Sequence, residues 1–369
     1  MNLSISDLEK SVPFDSKINH LNQEIIIFGA SEGGRIAKKY LEEKGKKIIL
    51  FCDNDENKWG KFIDDIPIIS PMELRNLRIK SFLIGIASKW YKEIMEQLDE
   101  MGLQNYFYIP VDIIKLDAER SYNVLNEIMD NKNKIEEVYS MLSDENSKKI
   151  FLNMLLHRIT GDFNIIKTSE YRQYLHPLIS SKKYKYIIDC GAFEGDTITL
   201  FFNFLAKSES LIYGFEPSPA VFRKLEKYIK KFYQNDNIII EKMGVWSDNT
   251  ELYFSNSNEK GADKIENNGN ISIKVISLDK YFSSIPLYNP TFIKMDIEGA
   301  ELQALKGSKR IISEYNPYLA ICIYHDITHF WEVPLLIKEF NANYEFYVGH
   351  HSEFDVNETV LYAIPIEKK

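Results

Sequence analysis

Two stretches of this chain share one pattern. Residues 24–41 read EIIIFGASEGGRIAKKYL and residues 184–202 read YKYIIDCGAFEGDTITLFF. Each passes from a short apolar, β-branched run through a glycine-bearing turn into a helix-forming segment. An apolar run of that length suits a strand buried on both faces of a parallel sheet. Glycine lets the chain turn tightly and lets a ligand approach the backbone. The chain has 369 residues, too many for one small core, so two units predict two α/β domains and a connector.

Composition narrows the partners. The chain is 44% hydrophobic and 27% charged, with a net charge of −9, ordinary for a globular protein. That acidity argues against nucleic acid or an anionic membrane as the main partner. Cys52, Cys190 and Cys322 form no CxxC pair, so free thiols in a reducing compartment are expected, with no metal framework. The start, MNLSISDLEKSVPFDS, has early acidic residues and no apolar core, unlike a signal peptide. No apolar run approaches the ~20 residues that span a bilayer. A cytoplasmic location follows as the expectation.

Four parts are expected: an N-terminal arm over 1–20, a Rossmann-like domain over 21–112, a helical connector over 113–182 and a second α/β domain over 183–369. In the first domain EIIIFGA, KKIILFCDND and KSFLIGIA read as parallel strands, with Ser70 capping a helix that starts at Pro71. In the connector, Ser143 is a candidate cap. The second domain has strand candidates YKYIIDC, SLIYGFE, NIIIEKMGVW, TFIKMDI, YLAICIYH, YEFYVGH and ETVLYAIP. Only the seven residues HSEFDVN separate the last two. A parallel crossover needs roughly a dozen, so these strands must pair antiparallel.

The second glycine loop, Asp189-Cys-Gly191-Ala192-Phe193-Glu194-Gly195-Asp196-Thr197, is lined with acids. A helix N-terminus usually welcomes phosphate, but three carboxylates would repel one. They suit a ligand with positive centres and no phosphate, such as S-adenosylmethionine (SAM), with its sulfonium and ammonium groups. Glu216 ends the next strand 21 residues after Gly195, where a carboxylate can accept both ribose hydroxyls. Pro217 then turns the chain outward. Gly244 and Val245, ending the third strand, are candidates for the adenine side. Asp296 and Glu298 end the fourth strand and His325 the fifth, so polar residues converge on one sheet edge, where open α/β sheets bind ligands.

The motifs IIDCGAFEGDT, YGFEPSP, FIKMDIEGAELQALKG and LAICIYH, followed by FWEVPLLI, YEFYV and ETVLYA, closely resemble FkbM-type methyltransferases over about 183–365. The resemblance implies a class I methyltransferase sheet, mostly parallel with an antiparallel final strand. It further implies SAM as cofactor, S-adenosylhomocysteine (SAH) as product, and a sugar or natural-product hydroxyl as acceptor. A bacterial enzyme of polysaccharide biosynthesis acting on a sugar, nucleotide-sugar or glycan is the expectation, with homo-oligomerisation open. The alternative is an inactive methyltransferase fold that binds nucleotide-sugars or acts as a scaffold. One departure from the family pattern is YVGHHS, where a basic residue is expected after the sixth strand.

Methyl transfer to a hydroxyl calls for a base. His325 is the first candidate, since an ordinary imidazole is half-ready at neutral pH. Asp296 follows, as base or as orienter of the acceptor, then Glu298. No metal is expected, since nothing in the spacing demands one, although Asp296, Glu298 and His325 could together bind Mg²⁺. Tyr171, Gln173 and Tyr174 in EYRQYLHP, together with His350, are candidate substrate contacts. The first glycine loop runs Gly29-x-Ser31-x-x-Gly34 and lacks the middle glycine of a dinucleotide fingerprint. Ser31 and Arg35 could hold a phosphate there, and Asp53 stands where a ribose-binding acid would. This segment resembles Rossmann-like domains attached to bacterial sugar-modifying enzymes. It reads as a degenerate docking or dimerisation domain, with nucleotide-sugar binding as the second reading.

Overall fold

The computed structural model describes residues 4–77, 81–117, 123–233, 237–254, 271–287 and 289–366. Contacts divide the chain into two compact units. One comprises residues 1–130, 152–166 and 353–356, the other 131–151, 167–352 and 357–369.

The first unit is a six-stranded sheet. Its strands are β1 (Glu24–Phe28), β2 (Ile48–Cys52), β3 (Phe62–Ile63), β4 (Ile66–Ile69), β5 (Phe82–Ile86) and β6 (Tyr106–Tyr108), in the order β3-β4-β2-β1-β5-β6. All pairs are parallel except the β3–β4 hairpin. The three apolar runs are strands as expected. β3, β4 and β6 are two to four residues long, too short for a periodicity to register. Helix Glu32–Glu43 packs Ala37 and Leu41 on the sheet. The predicted cap is present: Ser70 accepts from Glu73 N, and Glu73 accepts from Ser70 N at 2.8 Å. Short helices Ile5–Glu9 and Phe14–Asn19 fill the N-terminal arm.

The segment 113–182 carries helices Val124–Asp130, Lys132–Met141, Glu145–Thr160 and Pro177–Ser180, and its residues are divided between the two units. Residues 118–122 of the expected first helix lie outside the described residues. Ser143 is not the cap of helix Glu145–Thr160. Asp144 Oδ1 accepts from Ser147 N at 2.6 Å, because a carboxylate one residue nearer reaches the orphan amide and complements the helix dipole.

The second unit is built on β7 (Tyr186–Cys190), β8 (Leu211–Phe215), β9 (Ile238–Glu241), β10 (Gly244–Val245), β11 (Thr250–Phe254), β12 (Ile271–Ile276), β13 (Thr291–Met295), β14 (Tyr318–Cys322), β15 (Tyr344–His350) and β16 (Thr359–Pro365). Seven form one sheet, in the order β15-β16-β14-β13-β7-β8-β9. β16 runs antiparallel to both β14 and β15, as the short connection requires. The run NIIIEKMGVW is not one strand. β9 stays beside β8, while β10 pairs with β12 in a separate three-stranded sheet. Cys52, Cys190 and Cys322 are free and buried on their strands.

One glycine fixes the first βα turn. A Cβ on Gly34 would stand 2.0 Å from the Gly29 carbonyl oxygen, which is backbone and cannot step aside. Gly34→Ala is expected to destabilise the first unit by about 2–3 kcal/mol, read from chemical denaturation. A change under about 0.5 kcal/mol would show that this turn relaxes freely.

Candidate active site

The C-terminal ends of β7, β8, β13 and β14 bring the predicted acids and His325 to one edge of the second sheet. At β7 the chain turns through Gly191, with φ +84°, and Phe193, with φ +44°. A Cβ on Gly191 would lie 1.9 Å from the Asp296 carbonyl oxygen, so only glycine lets β7 turn this close to β13. The amides of Gly191 and Ala192 both donate to Phe215 O at 3.0 Å. Gly195, with φ +101°, is the N-cap of helix Asp196–Phe204.

The loop acids have three different fates. Asp189 does not face a ligand. It is fully buried, accepts from Thr197 Oγ1 at 2.5 Å and pairs with Lys294 Nζ at 3.0 Å. The expected three-carboxylate lining is corrected accordingly, because a buried acid there needs a buried cation. Glu194 pairs at the surface with Lys224 at 2.6 Å. Asp196 is exposed in the first turn of its helix. Thr197, buried, holds Asp189 rather than capping the helix.

Glu216 ends β8 and is 7% exposed. Its Oε2 accepts from Phe193 N at 3.2 Å and its Oε1 from Ser218 N at 2.8 Å. One carboxylate thus ties the glycine loop to the start of helix Pro219–Phe232. Burial pushes Glu216 up to about 7, against the pull of the Ser218 and Phe193 amides. Pro217 and Gly244 come together: a Cβ on Gly244 would meet Pro217 Cβ at 3.6 Å. Val245 is buried beside them in β10.

Asp296 is held by two phenols. Tyr174 Oη donates to its Oδ2 at 2.8 Å and Tyr324 Oη to its Oδ1 at 3.1 Å. Burial, reinforced by Asp296, keeps both phenols protonated well above the ordinary range. Gln173 Nε2 donates to Tyr174 Oη at 2.9 Å and also to Glu358. Tyr174, Phe193, Glu298 and Glu358 all have positive φ, an unfavourable conformation for non-glycine residues that collects at functional sites.

His325 sits among three carboxylates. Its Nδ1 lies 3.0 Å from Glu301 Oε1, and its Nε2 lies 3.6 Å from both Asp296 Oδ1 and Glu298 Oε2. Glu301 is fully buried and also reaches His329 Nδ1 at 3.3 Å. Burial disfavours an imidazolium, but Glu301 first, then Asp296 and Glu298, outweigh it and raise His325 to about 9. The half-ready neutral base expected from the sequence is therefore corrected: at neutral pH this imidazole carries its proton. Among the described residues Asp296, Glu301 and His325 are also spaced as metal ligands could be, yet a cation there would compete with the histidine's own proton.

Two candidate substrate residues lie elsewhere. Tyr171 packs in an aromatic cluster with His176, His351 and Tyr362, at ring separations of 5.0, 5.3 and 5.9 Å. Gly349 makes room for it: a Cβ there would stand 2.5 Å from Tyr171 Oη. Burial lowers both His176 and His351 to about 4, so both are neutral. His350 is 0% exposed and its Nδ1 contacts Thr359 Oγ1 at 2.8 Å. It is corrected from substrate contact to interior residue, since it points into the sheet's packing.

In the first unit, Asp53 accepts from Ala30 N at 2.7 Å, Asp55 N at 2.9 Å and Lys58 Nζ at 2.9 Å. Lys58 also reaches Ser31 Oγ at 2.7 Å, so its ammonium lies across the turn made by Gly29, Ser31 and Gly34. Arg35 follows in the first turns of the same helix.

Sequence reasoning missed Lys294, Tyr324, Glu301 and Lys58. Lys294 had a signal: one charge in TFIKM, a run whose every residue is buried, where a parallel strand is otherwise apolar.

His325 yields a direct test. Its raised value means a stability contribution fully present below about 6.5 and lost as pH rises through about 9. Imidazole NMR is expected to show that midpoint. In Glu301→Gln, which removes the largest of the three raising carboxylates, it should fall clearly. An unmoved midpoint would refute Glu301 as the cause.

Residues 21–109 match the family described as C2185-like, N-terminal. A hexuronic acid methyltransferase, AglP of Haloferax volcanii, is 27% identical over 114 residues, 30% of this chain and 47% of that protein; the match spans about half the length of this curated relative. The crystal structure of the methyltransferase FkbM of Methylobacillus flagellatus KT superposes with a TM-score of 0.73 at 19% identity, covering 98% of this chain and 94% of that one. It has the same fold. Residues 189–351 match the methyltransferase FkbM domain.

Proposed function

We propose that the protein is a SAM-dependent O-methyltransferase acting on a hydroxyl of a sugar, nucleotide-sugar or glycan. The observation that carries this is Glu216: a buried carboxylate at the end of β8, bonded to the backbone of the glycine loop, where it can also accept the ribose hydroxyls of an adenosyl group. The residues fit that cofactor. Glu216 would hold the ribose, the 191–195 turn with Glu194 and Asp196 the amino-acid end, and Pro217, Gly244 and Val245 the adenine. The hexuronic acid acceptor in the Haloferax relative's name supports a carbohydrate.

When bound, the cofactor supplies a methyl group on a sulfonium, transferred by in-line displacement. The protein's part is alignment, which can contribute ~7–11 kcal/mol, and acceptance of the hydroxyl proton. Asp296 takes the leading place as base and orienter. Both its oxygens are fixed by phenols, and His325, already protonated, faces it as a positive charge. Glu298, half-exposed at the same edge, is an acceptor contact, and Gln173 steadies Tyr174.

For the first unit we propose docking or dimerisation. The acid that would bind a ribose, Asp53, already holds three donors of its own turn. Nucleotide-sugar binding is the second reading, to be tested by titrating UDP-sugars. Among the described residues no helix is long and apolar enough to cross a membrane, and a cytoplasmic site of action is proposed.

Titration of SAH into the folded, cofactor-free protein is expected to give micromolar affinity, weakened at least about tenfold in Glu216→Ala. Ionised Glu216 is the better acceptor. Affinity should therefore rise with pH through about 7 and then level off. Labelled methyl transfer from SAM to uronates, neutral hexoses and nucleotide-sugars would identify the acceptor. A wild type that binds no SAH would leave the inactive scaffold as the reading.

A further inference from the structure

We infer that Lys294 is a positioning residue that locks the cofactor loop and couples it to Asp296. The inference rests on the SAM reading above. Lys294 sits mid-sheet on β13 with 1% of its side chain exposed. An ammonium has three N–H donors and no acceptor. Here three acceptors meet it: Asp189 Oδ1 at 3.0 Å, Gly191 O at 2.6 Å and Cys190 O at 3.3 Å. Two of the three are carbonyls of the β7 turn itself.

The turn is therefore gripped from both sides. Its Gly191 and Ala192 amides donate to Phe215 O, and its Cys190 and Gly191 carbonyls accept from Lys294. The grip extends to the acceptor side. The ammonium lies 5.5 Å from the centre of the Tyr174 ring, and the hydroxyl of that ring donates to Asp296. One buried cation thus sets the loop on one flank and, through Tyr174, the orientation of Asp296 on the other.

A purely structural ion pair and a positioning cation make different predictions. If Lys294 only neutralises Asp189, removing both charges together should restore everything. If it shapes the loop, the double change should restore stability alone. The test is SAH titration by calorimetry, with thermal unfolding, on wild type, Lys294→Met, Asp189→Asn and the double variant. Lys294→Met should be the least stable, since it strands a buried carboxylate.

The double variant is expected to regain a melting temperature near wild type while its SAH affinity stays at least about tenfold weaker. Asp189→Asn, which keeps both carbonyl contacts of the lysine, should bind SAH within about threefold of wild type. That single variant decides the matter if the double one does not fold. Wild-type affinity in the double variant, or equal losses in Asp189→Asn and Lys294→Met, would overturn the inference. Absence of SAH binding by the wild type is a separate result: it would overturn the cofactor reading and this inference with it.

Discussion

An ammonium cannot stay charged in a dry sheet unless it is neutralised on the spot, and in the second unit that necessity organises the functional edge. Burial works against the charge of Lys294, but Asp189 and then Asp296 more than offset it and hold the lysine above its usual range. Removing either member of such a pair leaves an uncompensated buried charge, a cost of about 3–5 kcal/mol. The same contacts fix the β7 turn and leave Glu216 to bridge turn and helix. Without the carbonyl contacts of the lysine, β7 and β13 would still be neighbours, but the turn after β7 would lose its defined shape.

A second buried charge cluster complements the first. Glu301 accepts from Ile297 N at 2.9 Å and lies against His325 and His329. It holds the turn after β13 and keeps His325 protonated. The positive imidazolium then stands against the Asp296 and Glu298 carboxylates and reduces the mutual repulsion of two acids crowded at one strand end. A protonated His325 has no lone pair free to accept a proton, which is why the proposed base is Asp296. Two phenols that never ionise at working pH complete the arrangement.

The first unit uses similar local geometry for another end. Its glycine turn is as tight as that of the second unit, but Lys58 and Asp53 satisfy one another across it. An acid bonded to Ala30 N, Asp55 N and Lys58 stabilises its own loop. A shared strand–turn–helix pattern thus leaves the acid after the second strand satisfied within its own turn in one unit, and bridging turn and helix in the other.

Much of the architecture was legible in the chain itself. Apolar β-branched runs marked β1, β2, β5, β7, β8 and β13, because a buried parallel strand has no polar face. Seven residues between the last two strands dictated an antiparallel pair by reach alone, and Ser70 before Pro71 announced a helix start. Glu216 at a strand end could be found by counting. These are properties of neighbouring residues or of chain length. What the folded structure decided was the charge state and direction of each polar group. Asp189 was withdrawn from the loop by a lysine 105 positions later, His325 was protonated by a glutamate on another element, and His350 was turned inward. Such outcomes depend on burial and on partners brought together only by the sheet, and no local pattern encodes them.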